Sequence, residues 1–145
     1  MTIYTIGYNK KSLRRFIDLL RDERVDAVLD VRLHNTSQLA GFTKRDDLAF
    51  ILELVGIAYR HLPELAPSEE VLSTYKKGRD WSLYEASFTA LMAERKAMLF
   101  GIDVLSQYQR PCLLCAEEKP DHCHRRLLAE SFATRLVPAE IRHLI

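Results

Sequence analysis

Two hydrophobic periods alternate along this chain, and that alternation restricts the fold more than any other feature. The run "TIYTIG" (2–7) is short, β-branched and closed by glycine, which reads as a strand. Ser12 follows as a helix N-cap, and Leu13, Phe16, Ile17 and Leu20 then recur at i, i+3, i+4 and i+7, one apolar helix face. The pattern repeats. Residues 25–31, "VDAVLDV", read as a second strand. After the polar stretch 33–42, Thr43 is placed to cap a helix with Leu48, Ile51, Leu52 and Val55 inward. Residues 57–62 form a third strand that Pro63 ends. Ser68 and Asp80 each cap a further helix, the longer one carrying Trp81, Tyr84, Phe88, Leu91, Met92 and Arg95 on one stripe. "CLLCA" after Pro111 is continuously apolar, as in a strand buried on both faces. Asp121 is placed to cap a last helix running to about Leu136, and "EIRHLI" closes the chain as a strand.

Strands separated by helices imply right-handed crossovers and a mostly parallel sheet of about five strands in a Rossmann-like three-layer α/β fold. The helical pair between the third and fourth strands is an addition to that scheme. No repeat, linker or low-complexity tract divides residues 1–145, so a single domain is expected. Apolar residues are 48% and the formal net charge is +1, so any anion site must come from local clustering, not from the field of the whole chain. The absence of a secretion signal or an 18-residue apolar run points to the cytoplasm and away from membranes. The three cysteines, all between 112 and 123, then argue against a disulfide framework.

Ligands of open α/β sheets bind beyond the carboxyl ends of the strands. Here those ends carry Gly7-Tyr8-Asn9, Asp30-Val31-Arg32, His61 and Cys115-Ala116-Glu117, and the polar residues of the chain gather there. The densest segment is "CAEEKPDHCHRR" (115–126). Arg125 begins the stripe Leu128, Ala129, Phe132, Leu136 and therefore points inward. It either pairs with Asp30 or Glu117, or holds a phosphate or carboxylate, with Arg126 beside it. Cys123, in the first turn behind Asp121, is either a thiol of lowered pKa or a small buried hydrophobe. Cys115 ends a buried strand, where a nucleophile could be presented or merely packed; Cys112 reads as core. Glu117, Asp30 and His124 are the proton-transfer candidates, and Arg32, His61 and Ser37 the ligand-contact candidates. Ser37 sits in the polar loop "HNTSQLAGF". No resident cofactor is expected. Zinc is the lesser alternative, because Cys-x7-Cys-His is unlike the usual closely spaced cysteine pair. Neighbours on one helix also diverge by about 100°, which would keep Cys123 and His124 from sharing an ion. The segment is not a phosphatase loop, since Cys115 and Arg125 are too far apart and no glycine lies between them.

The motifs "YTIGYNKKSLRRFIDLL", "DVR", "NTSQLAGF", "HLPEL", "YKKG" and "LCAEEKPDHCHRRLLAE" occur in an order that resembles the family called domain of unknown function 488, over nearly the whole chain. The resemblance implies one small α/β domain. It implies that Gly7, Asp30, Arg32, Ser37, Phe42, His61, Cys115, Glu117, Cys123, His124 and Arg125 fall on the family's motif positions. The chain departs from the common pattern at Tyr8, where many members carry histidine, and at Ala66-Pro67, where many carry two glycines. The combined expectation is an enzyme acting on a small anionic, phosphate-bearing ligand, such as a nucleotide or a nucleic-acid end. A non-catalytic nucleic-acid or small-molecule binding module and a structural metal-binding interaction protein are the alternatives. The sequence does not fix the oligomeric state.

Overall fold

The computed structural model describes all of residues 1–145. Its strands are β1 (Thr2–Gly7), β2 (Ala27–Asp30), β3 (Ala58–His61), β4 (Pro111–Cys115) and β5 (Glu140–Leu144), and its helices α1 (Leu13–Asp22), α2 (Arg45–Leu54), α3 (Glu69–Gly78), α4 (Trp81–Glu94), α5 (Ala97–Leu105) and α6 (His124–Arg135). The five strands form one sheet in the order β3-β2-β4-β1-β5, every pairing parallel.

Strand alternation sorts the core into two layers. Ile3, Ala27, Leu29, Val31 and Leu113 face α4, α5 and α6, where they meet Phe88, Val104, Leu128 and Phe132. Tyr4, Ile6, Val28, Cys112 and Leu114 face the other way and meet Phe16 and Leu20 of α1 and Leu48 and Leu52 of α2. This is the expected three-layer α/β arrangement. β4 is buried at all five positions, as its unbroken apolar run requires. No helix is long and apolar enough to cross a membrane.

The caps at Ser12, Ser68 and Asp80 form as the sequence implies, each side chain accepting a backbone N–H in the first turn. Two do not. Thr43 ends a 3-10 stretch (Gln38–Thr43), and Lys44 holds the cap position of α2. The Thr43 hydroxyl donates backward to the Ala40 carbonyl at 2.7 Å and is not available to the helix. Nor does Asp121 cap α6. The Cys123 N–H closes a turn onto the Pro120 carbonyl at 3.2 Å, so the helix begins only at His124, with Cys123 as its extended N-cap (φ −140°, ψ 138°). The long helix expected after Asp80 forms as α4, and past Lys96, which takes the left-handed conformation, an additional helix α5 follows, so three helices join β3 to β4.

Candidate functional site

The site is built where β2 and β4 end side by side. Past the strand ends, the Val31 N–H still pairs with the Leu114 carbonyl at 3.1 Å, and the Tyr8 and Asn9 N–H groups pair with the Cys115 and Ala116 carbonyls at 3.3 and 2.9 Å. Three chain segments are thus held together: Tyr8 after β1, Arg32 after β2, and Cys115 to Glu117 after β4.

Arg125 fixes the third of these. It is fully buried, and its Nη1 and Nη2 donate to the Glu117 and Glu118 carbonyls while its Nε donates to Thr5 Oγ1 at 3.3 Å. All three nitrogens are taken by internal oxygens. It reaches neither Asp30 nor the Glu117 carboxylate, and it lies outside the cavity wall. The expectation of an internal carboxylate on Arg125 is corrected accordingly: its partners are backbone carbonyls and a hydroxyl, and the guanidinium staples the turn after β4 to the sheet. Gly7 makes room for that turn, because a Cβ there would collide with the Glu117 carbonyl.

Arg32 is built differently. It is 4% exposed and makes a two-pronged pair with Asp30, Nε to Oδ1 and Nη2 to Oδ2, both at 2.8 Å, with Nη2 also reaching the Thr43 carbonyl at 2.7 Å. Nη1 has no partner. Asp30 accepts further bonds from the Arg32 N–H, Asn35 Nδ2 and Tyr59 OH at 3.1, 3.1 and 2.6 Å. Burial alone would raise the Asp30 pKa. The bonds and charge of Arg32, with those of Tyr59 and Asn35, outweigh that and hold the carboxyl below its ordinary value. Asp30 positions Arg32 and does not line the cavity.

The cavity, about 260 Å³, opens over Cys115, Cys123 and His124, with Arg32, Tyr8 and Glu117 in its wall. α3 supplies the facing wall through Leu72, Tyr75 and Lys76, with Arg79, its left-handed C-cap, beside them. These four stand at i, i+3, i+4 and i+7, a stripe visible in the sequence that would have assigned α3 to the pocket had its position been known. The exposed His122 also lines the cavity and stacks on Trp81 at 5.0 Å. Three permanent cations (Arg32, Lys76, Arg79) face one carboxylate (Glu117). The rest of the expected residues lie elsewhere. His61 Nε2 donates to the Arg32 carbonyl at 2.9 Å, Ser37 caps the 3-10 stretch, Arg126 pairs with Glu130, and Asn9 contributes only backbone. A larger hollow of about 430 Å³ between α3 and α4 contains no thiol, histidine or basic side chain.

The floor is the reactive part. Cys115, Cys123 and His124 are all buried, and the two sulfurs and a ring nitrogen lie within 4.8 Å of one another. His124 Nε2 is 2.7 Å from the Val31 carbonyl, which can only accept, so in the neutral ring that nitrogen carries the proton. Nδ1, with its lone pair, is 3.7 Å from the Cys115 sulfur. The Cys123 thiol, donating to Cys115, is the main influence lowering the Cys115 pKa; burial opposes it, and the Ala116 and Glu117 N–H groups and the Arg125 charge assist. Burial, and then Cys115 itself, push Cys123 up. Of the two thiols, Cys115 is the one that ionises first. Cys112 lies inside the sheet, where burial raises its pKa.

The model of one protein family, domain of unknown function DUF488, matches residues 12–132. The chain belongs to that family. No curated protein and no solved structure matches it. The DUF488 match runs from α1 into α6 and so contains every lining residue of the cavity except Tyr8.

Proposed function

We propose that this DUF488 protein is a small enzyme that takes an anionic, phosphate-bearing ligand, a nucleotide or a nucleic-acid end, into the cavity above β2 and β4. The observation that carries the reading is Arg32. It is a buried guanidinium of a residue in the cavity wall, anchored on one side by Asp30, with Nη1 left without a hydrogen-bond partner. Unpaired buried donors are costly, and an oxyanion removes that cost. Lys76 on α3 and Arg79 at its C-cap add long-range attraction at the mouth, where both side chains are exposed. The size suits a phosphate with a small attached group, since pockets for drug-sized ligands start at roughly 300 Å³. The chemistry falls to the floor, where Cys115 meets His124, in a cytoplasmic setting that keeps the thiols reduced.

The test is a thermal-shift and calorimetric titration with inorganic phosphate and nucleoside monophosphates. Saturable stabilisation is expected, reduced about tenfold in affinity, or ~1.4 kcal/mol, by the double substitution Lys76→Glu and Arg79→Glu. Because both side chains are exposed, that variant keeps the fold. Phosphate-independent stability in every condition would remove the reading. Turnover-free binding that leaves Cys115 alkylation unchanged would replace the enzyme with a binding module. A nucleic-acid ligand is distinguished by affinity that falls steeply with salt.

A further inference from the structure

The floor of the cavity has a geometry that a thiol nucleophile alone does not need. Two thiols and an imidazole converge there from two elements: Cys115 from the end of β4, Cys123 from the N-cap of α6, and His124 from its first residue. The sequence argument against a shared ion assumed that Cys123 and His124 are consecutive residues of one helix. Cys123 is instead extended, so the 100° rotation does not separate them, and both line the same cavity.

We propose that Cys115 Sγ, Cys123 Sγ and His124 Nδ1 bind one soft divalent cation of the zinc class, with the fourth coordination position open to the cavity; the proposal rests on the reading of that cavity as the ligand site.

Three observations support it. First, the spacing fits. Zinc–sulfur and zinc–nitrogen bonds of about 2.3 and 2.0 Å set tetrahedral donor separations of about 3.5–3.8 Å. Cys115 Sγ and His124 Nδ1 already stand at 3.7 Å, and no pair of the three exceeds 4.8 Å. Second, the outer shell is in place. A ligating histidine ordinarily donates its other ring N–H to a carbonyl or carboxylate, and His124 Nε2 does so to Val31, leaving Nδ1 as the free lone pair. Third, the donor set selects the ion. Two sulfurs and an imidazole, with no carboxylate among them, discriminate against magnesium and calcium. Two thiolates neutralise a divalent charge, which suits donors as buried as these, and the thiol protons leave to solvent as the metal enters. Three protein ligands and an open position is the arrangement of a catalytic site; structural zinc takes four. The open position shares its cavity with Arg32, so an anion held there would meet the metal.

The experiment uses the full chain, reduced and stripped with a chelator, then titrated with cobalt(II) followed by zinc. One equivalent of cobalt is expected, with thiolate-to-cobalt absorption in the near ultraviolet and strong tetrahedral bands in the visible, both abolished by zinc. Cys115→Ser and Cys123→Ser should each remove about half of the charge-transfer intensity, His124→Ala should weaken uptake, and Cys112→Ala should bind as the parent does. Should the serine variants fail to fold, the parent still decides: zinc must protect two of its three thiols from a disulfide reagent and raise Tm. No charge-transfer band in the parent, or a band that survives loss of both Cys115 and Cys123, overturns the site. Phosphate binding by the metal-free protein is read separately. If it persists without any cobalt uptake, only the metal falls; if cobalt binds and phosphate does not, only the anion reading falls.

Discussion

Two buried arginines stand near the same edge of the sheet and do opposite things. Arg125 is fully enclosed, and each of its nitrogens ends on an internal oxygen. Arg32 is 4% exposed and spends Nε and Nη2 on Asp30 and the Thr43 carbonyl, leaving Nη1 unpaired. The first arginine is a staple with every nitrogen bonded; the second keeps one buried nitrogen without a partner. Burial therefore does not separate a structural cation from a ligand-binding one. The separation comes from whether the protein itself completes the hydrogen bonds.

The contrast can be broken experimentally, most forcefully at its anchor. Asp30→Ala leaves Arg32 buried without its counter-charge and should cost about 3–5 kcal/mol, read as a fall in the urea midpoint at unchanged slope. Gly7→Ala attacks the Arg125 side. The added methyl displaces the Glu117 carbonyl from Arg125, with an expected loss of about 1–3 kcal/mol and altered reactivity of the neighbouring Cys115. A third test uses pH. The folded Asp30 carboxyl lies below its ordinary value of 3.8, so its contribution is present above that value and is lost as pH falls through the lowered one. Stability followed by urea unfolding should hold steady near neutrality and drop below about pH 4. The smallest stability effect belongs to Lys76→Glu with Arg79→Glu, expected within about 0.5 kcal/mol because both side chains are exposed, although phosphate affinity drops.

The same contrast shows how far the sequence reaches. The layers were legible because strand and helix periods leave different apolar patterns, and the inward direction of Arg125 was legible from its place on the α6 stripe. Its partners were not. They are backbone carbonyls of the turn at Glu117 and Glu118, and every residue has a carbonyl, so composition carries no trace of them. Asp30 and Arg32 were legible as site candidates at one strand end, yet their arrangement depends on Thr43 meeting Arg32 and on Asn35 and Tyr59 meeting Asp30 from three other segments. The start of α6 was misplaced because Asp121 has the chemistry of a cap, while a turn closing on Pro120 decides the matter. That shift of two residues is what allows Cys123 to face Cys115 and His124. The wall given by α3 went unassigned because nothing local says where an inserted helix docks.

Side-chain NMR of protein labelled with 15N-arginine, titrated with inorganic phosphate, puts the two guanidiniums in direct competition. The account predicts that the Arg32 Nε and Nη resonances shift saturably while those of Arg125 stay where they are. Shifts at Arg125, or none at Arg32, would contradict it.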